Sequence, residues 1–99
     1  MGASGVLLRT FYFMDNSVES FRLKLNQHYS WPSLYMFKFI VPKGKEIDVK
    51  NLFPNHEVAE KASREGNYTS ITVQIMAPSS EVVIEIYQKA AAIEGLIAL

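Results

Sequence analysis

The sequence predicts an α+β domain: a four-stranded antiparallel sheet with two helices on one face and an extra N-terminal helix. Three observations lead there. Residues 34–41 and 68–76 alternate with the two-residue period of strands. Residues 17–28 and 80–94 repeat apolar side chains at helical spacing. Gly66-Asn67 marks a turn just ahead of the second alternating stretch.

Taken in order, the chain opens with a segment unlike the rest. Val6–Phe13 reads as a short strand, and Met14 is a candidate initiator because helix-start chemistry follows it at once. Residues 1–13 are therefore an N-terminal extension and 14–99 a single domain. Arg9 interrupts the apolar stretch and no small-residue cleavage site follows, so a secretory leader is not expected. Asn16 and Glu19 have capping-box spacing, and Val18, Phe21, Leu25 and Tyr29 form the apolar stripe of a helix over 17–28. Trp31-Pro32 ends it, because proline drives its predecessor out of helical geometry.

Leu34–Val41 is the clearest strand. Tyr35, Phe37, Phe39 and Val41 share one face; Leu34, Met36, Lys38 and Ile40 share the other. Both faces are largely apolar, which predicts a central position. Pro42-Lys43-Gly44 breaks the strand, and a helix of about two turns is expected over 45–53, stopped by Pro54. Residues 56–63 have helical spacing at Val58, Ala59 and Ala62, but few large apolar groups, and periodicity does not decide between helix and strand. After Gly66-Asn67, Thr69, Ile71, Val73 and Ile75 point one way and Tyr68, Ser70, Thr72 and Gln74 the other. Ser79-Ser80-Glu81 then starts a helix whose stripe is Val82, Val83, Ile86, Tyr87, Ala90 and Ile93; Gly95 stops it, and Leu96–Leu99 is a last strand. A turn at Gly66 favours a strand on its near side. With 56–63 as that strand the order becomes helix, then βαββαβ, the ferredoxin-like split βαβ plan.

Composition sets the outer bounds. The chain has 99 residues, 48% hydrophobic and 20% charged, which is one ordinary globular domain. It has no cysteine, so disulfides, thiolate metal sites and a cysteine nucleophile are excluded. Ten basic and ten acidic residues balance, so the basic footprint of a nucleic-acid binder is missing. No apolar run reaches the length of a membrane span. No nucleic-acid or membrane partner is expected, and a cytoplasmic location is.

Trp31-Pro32 leading into Tyr35-Met36-Phe37-Lys38-Phe39 carries a further signal. So do Ser63-Arg64-Glu65-Gly66-Asn67-Tyr68-Thr69-Ser70 opening a strand and the Ile93-Glu94-Gly95 helix end. Together they resemble the YbeD-like family of small uncharacterised bacterial proteins over roughly residues 15–99. The resemblance implies a ferredoxin-like fold similar to ACT regulatory domains, and it supports a strand at 56–63. It places a family lysine on Lys38 and the turn positions on Ser63, Gly66, Tyr68 and Ser70. The chain departs in a shorter first core helix, and residues 1–13 have no counterpart.

Each candidate site has a functional and a plain reading. Lys38, mid-strand among large apolar neighbours, is an anion contact for a small acid or a partner carboxylate, or else a lysine whose stem covers apolar surface. Lys43, Gly44 and Lys45 form a loop that in ACT-like folds often helps bind a small ligand at a dimer interface, or else a solvated turn. Tyr68, Ser70, Thr72 and Gln74 are a partner surface, or else the wet side of an antiparallel strand. Ser63, Gly66 and Asn67 are structural turn residues. His28 and His56 lack ligand partners at metal spacing, and no acid pair or nucleophile motif stands out. No catalytic residue, metal or cofactor is assigned. The reading is a non-enzymatic regulatory or protein-interaction module of ACT-like type, self-associating or binding another protein. Its alternatives are a sensor of an amino acid or organic acid at the first strand–helix loop and a cofactor-free enzyme of unknown reaction.

Overall fold

The computed structural model describes residues 17–99. The expectations for Val6–Phe13, Met14 and the Asn16 cap lie outside them. Helix α1 spans Ser17–His28, strand β1 Ser33–Pro42, helix α2 Glu46–Lys50, strand β2 Ala59–Ala62, strand β3 Tyr68–Ala77, helix α3 Ser80–Ala90 and strand β4 Ile97–Ala98. The sheet order is β2-β3-β1-β4, and every pairing is antiparallel. After α1 the order is thus the βαββαβ that the alternation and the Gly66 turn predict.

β1 and β3 pair in register along their whole length, from Ser33 opposite Ala77 to Pro42 opposite Tyr68. Antiparallel partners share a face, so Tyr35, Phe37, Phe39 and Val41 stand beside Ile75, Val73, Ile71 and Thr69. All eight are buried, Phe37, Phe39, Val41 and Ile71 completely. The helices roof this face. Tyr87 of α3 sits with its ring 5.1 Å from that of Phe37 and 6.0 Å from that of Phe39. Phe53, beyond α2, lies 5.3 Å from Phe37, and Phe21 of α1 meets Tyr87 at 5.5 Å. The Tyr35 and Tyr87 hydroxyls share a hydrogen bond of 3.0 Å, and burial pushes the Tyr35 phenol up from its ordinary pKa. Arg22 of α1 grips Glu81 of α3, donating from Nε at 2.6 Å and from Nη2 at 3.1 Å.

Five local expectations change. The helix expected over 45–53 is only Glu46–Lys50. Its last turn tightens, with Leu52 and Phe53 donating to Val49 and Lys50, three residues back, and this tucks Phe53 into the core. The strand within 56–63 is Ala59–Ala62, and the last strand is Ile97–Ala98. Ser79 occupies the cap position of α3 but makes no side-chain cap bond. Ile84, absent from the expected stripe, is buried on α3; a helix packed against both a sheet and α1 buries a wider arc than one stripe.

Two predictions follow from this packing. Phe37→Ala should cost about 3–5 kcal/mol in urea unfolding, while Met36→Ala, one residue away on the exposed face, should cost less than about 0.5 kcal/mol. Similar losses for the two would contradict the assigned faces. Gly66 and Gly95 both hold φ of +79°, but a Cβ on Gly95 would stand 2.7 Å from Pro42 Cγ whereas one on Gly66 meets open space. Gly66→Ala should therefore cost about 1–2 kcal/mol, the left-handed penalty alone, and Gly95→Ala measurably more in the same assay.

Candidate functional site

The turn end of the sheet gathers most of the sequence-predicted residues. Tyr68 lies opposite Pro42, and the Lys43 N–H donates to the Asn67 carbonyl at 2.9 Å, so the 42–46 loop and the 63–68 turn are adjacent. Ser63 closes the hairpin: its N–H donates to Tyr68, its carbonyl accepts from Gly66, and its Oγ accepts the Tyr68 N–H at 3.2 Å.

The loop is held by a residue the sequence reading missed. Glu46 Oε1 accepts the Gly44 N–H at 2.8 Å, and its Oε2 accepts the Thr69 hydroxyl at 2.6 Å. These bonds hold the Glu46 carboxyl below its ordinary pKa, the Thr69 hydroxyl contributing most. The Lys45 N–H donates to the Pro42 carbonyl. The backbone N–H groups of Lys43, Gly44 and Lys45 are thus all engaged within the fold. A signal for Glu46 was present: Thr69 falls on the inward side of its strand, and a buried hydroxyl needs a partner.

Lys38 lies four residues into the sheet from Pro42 at this end, opposite Thr72 on β3, with the Leu99 N–H bonded to its carbonyl on the other side. It is exposed, and no carboxylate among the described residues pairs with it. Along β1 its same-face neighbours are Met36 and Ile40. Ser70 lies between Ile40 on β1 and Lys61 on β2, and its Oγ donates to the Lys61 carbonyl.

The apolar row that the alternation places on this face of β1 extends across the neighbouring strands. Eight large apolar side chains are well exposed among the described residues. Six of them belong to the sheet face away from the helices: Leu34, Met36, Tyr68, Met76, Ile97 and Leu99. Leu23 and Ile47 lie elsewhere. Leu34 stands directly opposite Met76 with Met36 two residues along, and Ile40 stands opposite Ile97. The only charged side chains that the register sets on this face are Lys38 and Lys61. His28 ends α1 and His56 lies ahead of β2, both exposed; no metal-holding group of His, Cys, Asp and Glu occurs among the described residues.

Strand order and layering define a split βαβ sandwich of ferredoxin-like plan, one sheet face of which no helix among the described residues covers. No helix among the described residues is long and apolar enough to cross a membrane. The chain belongs to the family described as Protein of unknown function (DUF493), the YbeD-like proteins, whose model matches residues 26–99. The match begins inside α1, a narrower span than the 15–99 the motifs suggested. No curated protein and no solved structure matches the chain.

The Glu46 clamp predicts a pH dependence. Its folded pKa is depressed, so its stabilisation is complete above the ordinary glutamate value of about 4.3 and is lost as pH falls through the folded value. Glu46→Gln should lower the urea midpoint at pH 7, and the gap to the wild type should shrink by pH 3. A gap of equal size at both pH values would contradict the clamp.

Proposed function

We propose that this protein is a non-enzymatic interaction module of ACT-like, regulatory type whose working surface is the open sheet face. The observation that carries the reading is the gathering of six exposed large apolar side chains on that one face. A contiguous exposed apolar patch costs solubility and marks an interaction surface when it is this concentrated. An antiparallel sheet that faces only water ordinarily alternates to polar side chains there. β3 does so with Ser70, Thr72 and Gln74, whereas β1 presents Leu34, Met36 and Ile40.

The titratable groups support the non-enzymatic part. Arg22 and Tyr35 have raised pKa values and Glu81 and Glu46 lowered ones, each shift reinforces the ordinary charge state, and each group is engaged in joining one element to another. The alternative of a small-acid sensor at the 42–45 loop draws no support from its backbone, because the N–H groups that would hold a carboxylate are already bonded.

Site-specific photocrosslinking tests the reading. A photoreactive residue at Met36, used in native lysate, should give a discrete protein adduct that Met76→Asp on the same face abolishes. The same probe at Leu23, exposed on α1, should not give that adduct. Adducts identical from both positions, or a Met36 adduct indifferent to Met76→Asp, would refute the open face as the working surface.

A further inference from the structure

The interaction reading leaves open what kind of surface docks, and the charges on the face bear on that. Lys38 sits in the middle of the β1 apolar row, between Met36 and Ile40, and Lys61 lies on the far side of β3, level with Ile40. The register sets no carboxylate side chain on this face to neutralise either one.

We infer that the occupant is an acidic amphipathic helix of another protein, lying along β1 with a carboxylate on Lys38. The inference rests on the interaction reading above. The row from Leu34 to Ile40 spans six residue-to-residue steps of strand, about 20 Å at roughly 3.4 Å each. A helix of about 13 residues, near four turns, matches that length. Its apolar stripe covers Leu34, Met36 and Met76 at one end and Ile40 and Ile97 at the other. Lys38 falls between the two apolar groups. A wholly apolar partner would strip water from that ammonium and offer nothing in return, which is costly. A glutamate or aspartate at mid-helix removes that cost, so Lys38 selects for acidic partners as well as binding them. A second copy of this chain docked face to face would bring Lys38 and Lys61 against a surface of the same sign.

The test uses the full chain and three synthetic 16-residue helical peptides. They share one leucine and isoleucine stripe and carry glutamate, glutamine or lysine at the flanking positions. Fluorescence anisotropy gives affinity, and the Met36 and Met76 methyl resonances report the face. The glutamate peptide should bind about tenfold more tightly than the glutamine peptide, with the lysine peptide weakest. Lys38→Gln should erase the preference, Lys38→Arg keep it, and Lys38→Glu invert it toward the lysine peptide. Equal binding of the glutamate and glutamine peptides at the two methyls would overturn the acidic partner and leave the open face standing. Failure of every peptide to move those methyls would overturn the helical occupant, while crosslinking at Met36 separately decides the broader reading. Tighter binding of a single-stranded RNA of similar length, or self-association that buries the methyls without peptide, would also overturn it.

Discussion

The packing of one strand's aromatic side against the helices holds this molecule together. Tyr35, Phe37 and Phe39 project from β1 into a layer completed by Tyr87 of α3, Phe53 beyond α2 and Phe21 of α1. Most of these rings meet at edge-on or tilted angles, and Phe37 and Phe39 stack, both being arrangements that aromatic quadrupoles favour. Every helix in the described residues reaches the sheet through this layer or through residues that flank it. The described helices therefore all lie on one side, and none of them covers the sheet's second face.

The ends of the sheet are secured by more local means. At the turn end, Glu46 ties the β1–α2 loop to β3 through Thr69, and Lys50 bonds Glu60 at 2.6 Å to hold the short β2 under α2. Near the same end, Gly95 passes so close to Pro42 that a side chain there would collide with the ring. These contacts fix the loops and leave the open face untouched. The division of labour falls within β1 itself: odd-numbered positions from Tyr35 to Val41 build the core, and even-numbered ones from Leu34 to Ile40 build the surface.

Long periodic segments were legible because their period is a local property. The 17–28 helix and the two long strands follow directly from side-chain spacing. β2 was not legible in that way. Ala-Glu-Lys-Ala is short and wholly exposed, and it is a strand only because β3 pairs with it, which the Gly66 turn signals indirectly. The Glu46–Thr69 bond joins residues 23 apart in sequence, so no window of local pattern contains it. The open face was half legible. Alternation told which residues share a side, and Lys38 stood out among apolar neighbours. The apolar residues beside it predict a central strand, and β1 does lie between β3 and β4, but alternation does not tell whether a face is covered. Met76, Ile97 and Leu99 join that patch only through pairing across strands.

The central claim is that the two sides of β1 differ, one sealed and one open to solvent. Solvent paramagnetic relaxation of methyl groups in the dilute full-length chain tests it directly. The Met36 and Met76 methyls should broaden strongly on addition of a soluble nitroxide, while those of Val73 and Val83 stay sharp. Methionine methyls as well protected as the buried valines would mean that the face is covered, and the account would fail.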